Sequence, residues 1–136
     1  MLNSKEILKN SNIKSTAPRI AVLEAFLSNK KPVAAQEIYN RIKKHQIDLV
    51  TVYRTITSFE KVGIIKRIDV RKDSIFYELN GTHHHHIVCT RCGDMEDFEQ
   101  CEMDTLVKKI IHKSKIFSSI NEHNFELFGL CNSCAK

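Results

Sequence analysis

The chain has 136 residues, 42% of them hydrophobic and 27% charged, with four Gly and two Pro; these proportions fit a globular protein and exclude intrinsic disorder and collagen-like repeats. No apolar run approaches the roughly 18 residues of a membrane span, and Met1–Asn10 lacks the apolar core of a secretory signal, so the expected address is cytoplasmic, with no membrane partner. Five cysteines are too few for a disulfide scaffold, and an odd number fits one poorly.

Charge separates the chain into two parts. Residues 1–80 carry 15 Lys/Arg against 8 Asp/Glu, whereas residues 81–136 carry 6 against 8, which together account for the net charge of +5. All five cysteines and six of the seven histidines lie in the second part. A basic half suits a polyanion such as DNA, and a half rich in thiols and imidazoles suits a metal.

Thr16-Ala-Pro18-Arg19 reads as a helix start, with a hydroxyl at the N-cap and Pro in the first turn, and Ile20, Leu23, Phe26 and Leu27 recur at helical spacing to about Asn29. A second helix is predicted from near Val33, burying Ile38 and Ile42, and a third from about Val50 to Val62, ending at Gly63. At 100° per residue, Val52, Ile56 and Phe59 of the third helix share one face and must look into a core. Arg54 and Lys61 lie opposite, flanked by Thr57 and Ser58, with Tyr53 at the margin. Such a face is either merely solvated or supplies donors for base edges and phosphates. The neighbouring segments favour contact with DNA. Ile64–Val70, a polar turn at Arg71–Ser74 and Ile75–Leu79 form a predicted hairpin, and three helices before a basic hairpin is the order of a winged helix-turn-helix. Lys66, Arg67, Arg71 and Lys72 fall on the wing, and Lys14 and Arg19 extend the basic footprint.

In the second part, Cys89-Thr-Arg-Cys92 and Cys131-Asn-Ser-Cys134 are two C-x-x-C pairs, each able to grip an ion from a tight turn. Together they complete a tetrahedral four-thiolate site for Zn²⁺ that leaves no open position and is therefore structural. A redox dithiol needs only one pair, and a reducing compartment opposes disulfides. The run His83-His84-His85-His86 leads into Ile87-Val88-Cys89. On a strand its side chains alternate, so His83 and His85 point one way and His84 and His86 the other. Each pair can contribute to a metal site, with Glu78, Asp97, Asp104 and His123 as further donors; a solvated polar run is the plain alternative. Mixed imidazole and carboxylate ligation suits Fe²⁺, Mn²⁺, Zn²⁺, Co²⁺ or Ni²⁺ without choosing among them. Cys101 is left over and reads as an idle thiol. A helix is predicted within Cys101–Lys113, with strands at Ile116–Ile120 and His123–Leu130, the helix packing on a small sheet.

These motifs in order, Lys14-x-Thr16-x-Pro18-Arg19, Thr51-Val52-Tyr53-Arg54-Thr55, His83–His86 followed by Ile87-Val88-Cys89-x-x-Cys92-Gly93, and Cys131-x-x-Cys134, resemble the ferric uptake regulator (Fur) family of bacterial metal-dependent transcriptional regulators over nearly the whole chain. The resemblance implies an α+β fold: an N-terminal winged helix-turn-helix (residues 1–80), a hinge near residues 79–83, and a small α/β dimerisation domain with the four-cysteine zinc (residues 81–136). It implies a non-enzymatic repressor acting as a homodimer on a double-stranded, inverted-repeat DNA operator. Tyr53 and Arg54 would contact bases, Lys14 the minor groove and Arg19 the phosphates, with Thr51 and Thr57 completing the DNA-binding set. Beside the structural Zn²⁺ (Cys89, Cys92, Cys131, Cys134), a second divalent metal such as Fe²⁺, Mn²⁺ or Zn²⁺ would be regulatory. One such site, near the hinge, would use Glu78, His84, His86 and Asp97; another, in the dimerisation domain, would use His83, His85, Asp104 and His123. Lys31-Pro32 stand where the family usually supplies a further hinge His, and Asp97 resembles the peroxide-sensing branch rather than Fur itself. The peroxide-sensing and zinc-sensing branches are the alternatives, ahead of a zinc enzyme or a metal-storage module.

Overall fold

The computed structural model describes residues 2–70 and 73–136. Its first helix, α1 (Ser4–Asn10), begins with a reciprocal cap: the Asn3 side chain accepts from the Glu6 backbone N–H, and Glu6 accepts from that of Asn3, both at 3.0 Å. The Asn3-x-x-Glu6 spacing announces this helix, which the periodicity from Thr16 onward does not reach. Helix α2 (Ala17–Leu27) follows with Pro18 in its first turn; Thr16 is its N-cap by backbone conformation, but its hydroxyl makes no capping bond.

Val33 and Ala34 do not open a helix. They form a two-residue strand, β1 (Val33–Ala34), and α3 (Ala35–Ile42) starts immediately after it. Helix α4 (Leu49–Lys61) is capped by Asp48 and stops at Gly63, where φ is +79°. The Ile64 N–H reaches back to the Phe59 carbonyl (2.9 Å) and the Gly63 N–H to that of Glu60 (3.1 Å), closing the helix end with a left-handed residue that a side chain would strain. Strands β2 (Ile65–Ile68) and β3 (Phe76–Leu79) pair antiparallel, Ile65 opposite Leu79 and Ile68 opposite Phe76, and β1 adds to the free edge of β3. The wing residues Arg71 and Lys72 lie outside the described residues.

Helices α2, α3 and α4 pack on one another, and α1 packs on α2. Val52, Ile56 and Phe59 are buried together with Val22, Leu23, Phe26 and Ile38, as the helical angles require. Phe59 is fully buried, so Phe59→Ala should remove about 3–5 kcal/mol of stability from this unit, measured by urea unfolding followed through tyrosine fluorescence.

The chain divides after Gly81 into two compact units, residues 1–81 and 82–136. The second is built on β4 (His85–Cys89), flanked by antiparallel β5 (Met95–Phe98) and parallel β6 (Glu126–Gly129). Helix α5 (Met103–Lys113) precedes β6. No residue of α5 is buried, and Leu106 and Ile110 are about half exposed, so the packing onto the sheet that its periodicity suggests is not made within one chain. Residues 116–120 form no strand: the Ser114 hydroxyl accepts from the Ile116 and Phe117 backbone N–H groups, and this turn takes donors that a sheet ladder would need. The strand expected across His123–Leu130 is confined to Glu126–Gly129. No helix among the described residues is long and apolar enough to cross a membrane.

Candidate metal centres and nucleic-acid interface

Asp48 fixes the start of α4 by accepting the Thr51 backbone N–H at 2.7 Å, and that bond holds its carboxyl below the usual carboxylate range. With Val52, Ile56 and Phe59 turned inward, Tyr53 and Arg54 are exposed. The N-terminal end of α2 lies beside this face. Lys14, Thr16, Arg19, Thr51, Arg54 and Ser58 line one hollow of about 450 Å³, so three cations from two stretches of chain surround a single concavity. Arg19 is held there by donating to the Lys14 carbonyl at 3.0 Å. Of the six residues expected to meet DNA, Lys14, Arg19, Thr51 and Arg54 share the hollow. Tyr53 and Thr57 stand on the exposed helix surface, and the Thr57 hydroxyl donates to the Tyr53 carbonyl at 2.9 Å. Thr16, read as a helix cap, and Ser58, read as a flank of the outward face, also line it. On the hairpin, Lys66 pairs with Glu78 (3.4 Å), while Arg67 pairs with Glu60 (2.6 Å) and stands over the Tyr77 ring. Both described wing cations therefore have partners within the fold, and the hollow carries the stronger cationic signal.

The four C-x-x-C cysteines come together at the end of β4 and the turn after β6, with their sulfurs within 4.8 Å of one another. A zinc tetrahedron with bonds of about 2.3 Å has S···S edges of about 3.8 Å; Cys92 and Cys131 Sγ are 3.7 Å apart. Backbone N–H groups already point at the sulfurs: Cys131 N donates to Cys89 Sγ and Asp94 N to Cys92 Sγ, each at 3.4 Å. Gly93, at φ +78°, allows the first knuckle to turn, and Arg91 ties the two arms by donating to the Cys134 carbonyl at 2.7 Å. Donation from the backbone of Cys131, Cys92 and Arg91 pulls Cys89 down to about 5, whereas its hydrogen bond with Cys131, together with burial, pushes Cys134 up to about 12. Four thiolates this close repel one another; a divalent cation would supply the missing charge, and the donor set fits Zn²⁺. None of the five cysteines is in a disulfide.

The histidine run divides by strand alternation. His83 and His85 ring centroids are 4.6 Å apart, and both rings meet His123, at 4.9 and 5.4 Å. His85 is only 2% exposed, packed against Phe98 and Phe125, and its Nε2 is buried with no hydrogen-bond partner. Burial, then the neighbouring imidazoles, hold His85 below its ordinary value, which favours the neutral form that ligates metal. Donor atoms of His83, His85, His123 and Cys101 all lie within 4.8 Å of one another. Asp104, the expected fourth donor, is exposed in the first turn of α5 and is not in this group. Cys101, read from sequence as idle, is the fourth residue of the group.

On the opposite face, His84 and His86 rings are 4.9 Å apart. The His86 Nε2 lies 3.6 Å from Asp97 Oδ1, across the β4–β5 pair. Glu126 Oε2 accepts from the His86 backbone N–H (3.0 Å) and contacts its Nδ1 (3.1 Å). This carboxylate, missed in the sequence, fixes the ring orientation and directs Nε2 toward Asp97, as a supporting carboxylate does for a metal-binding histidine. His84 Nδ1 lies 2.8 Å from the Thr82 carbonyl. Glu78 lies on β3 of the first unit.

Comparison with known proteins gives one answer. Residues 10–128 match the model of the ferric uptake regulator family. The chain is 33% identical over 131 residues to the ferric uptake regulation protein of Neisseria meningitidis serogroup A, covering 93% of this chain and 90% of that one. Among solved structures it resembles the iron-containing ferric uptake regulator of Francisella tularensis, with 30% identity, a TM-score of 0.78 and coverage of 91% of this chain and 96% of that one. It also resembles the manganese-containing regulator of Pseudomonas aeruginosa, at 26% identity, a TM-score of 0.78 and coverage of 97% and 99%. By sequence over nearly its full length and by fold, the chain belongs to the ferric uptake regulator family.

Proposed function

We propose that this protein is a cytoplasmic, metal-responsive repressor that binds an inverted-repeat operator as a homodimer and catalyses no reaction. The observation that carries the reading is the hollow where Lys14, Arg19 and Arg54 converge beside the exposed face of α4. Three cations around one concavity suit a phosphate backbone, and Tyr53 and Arg54 on the exposed face of α4 suit base edges. Dimerisation is supported by α5, where no apolar residue is buried and Leu106 and Ile110 are about half exposed, together with exposed Ile87, Phe117 and Leu127.

Metal acts here through order. A first-row divalent ion held by His83, His85 and His123 ties the start of β4 to the segment entering β6, and α5 lies between those two stretches of chain. Fixing the flanks of α5 lowers the entropy cost of presenting it to a second copy, and a dimer sets two α4 helices on half-sites about 34–36 Å apart. The ion shifts the equilibrium only as far as it prefers that state. His84, His86 and Asp97, with Glu126 behind them, form the second regulatory donor set. The iron and manganese of the two related regulators make Fe²⁺ and Mn²⁺ the first ions to try.

The test is anisotropy titration of a family-type inverted repeat against a single half-site at several salt concentrations. The whole repeat should bind far more tightly, and Arg19→Ala should weaken binding to all sequences alike, flattening the log–log salt slope by about 1.8, or 0.9 for each of two copies. Equal affinity for repeat and half-site, or a slope unchanged by Arg19→Ala, would count against the reading.

A further inference from the structure

The cluster around His123 contains a sulfur, and the resemblance that led to His83, His85 and His123 assigns it no sulfur. We propose that Cys101 is the fourth ligand of this site, as a thiolate, in place of Asp104, so that the ion is held by three imidazoles and one sulfur. The inference rests on reading this cluster as a regulatory metal site, and its test does not involve DNA.

Three observations carry it. Cys101 Sγ lies 3.5 Å from His123 Nε2. A tetrahedral ion with metal–nitrogen bonds of about 2.0–2.1 Å and a metal–sulfur bond of about 2.3 Å has N···S edges of about 3.5 Å, so the spacing is that of two ligands sharing one ion. His85 Nε2 is buried without a partner beside these atoms. A buried ring nitrogen left unsatisfied is unfavourable, and an ion among the four donors satisfies it. Asp104 is exposed and outside the group, three residues further along the chain than Cys101 and already on α5.

The chemistry differs from that of a carboxylate site. As the metal–sulfur bond forms, the thiol proton leaves to solvent. Four ligands, one of them a soft sulfur, favour Zn²⁺ and Co²⁺ over Mn²⁺, which prefers more oxygen donors and higher coordination. Because Cys101 lies two residues before the start of α5, its bond also anchors the N-terminal side of that helix.

Full-length protein carrying one structural zinc per protomer would be titrated with Co²⁺ under reducing, anaerobic conditions, with zinc content checked throughout. The first equivalent of Co²⁺ should bring up an intense near-ultraviolet sulfur-to-cobalt charge-transfer band with the zinc retained. Cys101→Ser should abolish the band and weaken Co²⁺ binding at least tenfold, while Asp104→Asn leaves both unchanged. In the unsubstituted protein, added Zn²⁺ should slow alkylation of Cys101 by iodoacetamide at least tenfold, read by peptide mass spectrometry, which keeps the test independent of how the variants fold. Cobalt bound without the band, a band that survives Cys101→Ser, lost binding in Asp104→Asn, unchanged alkylation, or no binding beyond the structural zinc would each overturn the proposal.

Discussion

Cys92→Ser should release zinc and unfold residues 82–136 while leaving residues 1–81 folded. The second unit has little else to hold it: its buried residues are His85, His86, Val88 and Cys89, and α5 buries none. A structural zinc contributes apparent binding energies of about 10–16 kcal/mol, comparable with or above the roughly 5–15 kcal/mol stability of a whole domain. The first unit has its own core of α1–α4, and all three tyrosines, Tyr39, Tyr53 and Tyr77, lie within it. Tyrosine fluorescence should therefore keep its unfolding transition, while metal analysis shows no zinc and amide exchange across 82–136 becomes fast. Retained protection in that segment without zinc would contradict a zinc-dependent fold. Acid acts in the same direction, because protons compete with the ion for sulfur. Zinc should leave as the pH falls, while the backbone donors that pull Cys89 down to about 5 oppose protonation of that sulfur.

Arg54→Ala should cost operator binding more than any other single change on the α4 face. An arginine paired with a base edge contributes about 1–3 kcal/mol of discrimination, and a dimer presents two, so the loss should be roughly 30-fold to 10⁴-fold. Arg54 is exposed and packs into no core, so thermal stability should move by no more than about 0.5 kcal/mol and zinc content should not change. Specificity should relax at the contacted position, in contrast to Arg19→Ala, which weakens all sequences together. Unchanged operator affinity in Arg54→Ala would remove α4 as the reading helix.

Local rules made much of this legible. The 100° periodicity of Val52, Ile56 and Phe59 identified the inner face of α4, Gly63 marked its end, and the two-residue period of a strand separated His83 and His85 from His84 and His86. The paired C-x-x-C motifs announced their own cluster because each is a local turn. Much of what escaped depends on contacts distant in sequence. Glu126 reaches His86 only because β6 pairs parallel with β4, forty residues away, and parallel partners carry no connecting-turn signal. Cys101 meets His123 through a loop path that no periodicity encodes; the resemblance supplied Asp104 as the donor and left Cys101 idle. Val33 and Ala34 are apolar enough to begin a helix, and only β3 beside them draws them into a strand. The Ile116–Ile120 segment has strand composition but loses its donors to Ser114. The wing cations Lys66 and Arg67 read as free charge until Glu78 and Glu60 are seen beside them.

The most direct measurement is the affinity of the protein, with structural zinc in place, for an inverted-repeat operator in the absence of added metal and with Fe²⁺ (anaerobic), Mn²⁺, Co²⁺ or Zn²⁺. At least one of these ions should strengthen binding by about 5- to 150-fold, the usual range of coupling between two sites. His85→Ala should erase this gain without weakening the metal-free binding, because His85 is remote in the chain from the α4 face. Operator binding of the same strength under every condition would contradict the metal switch, and no preference for the inverted repeat under any condition would contradict the repressor itself.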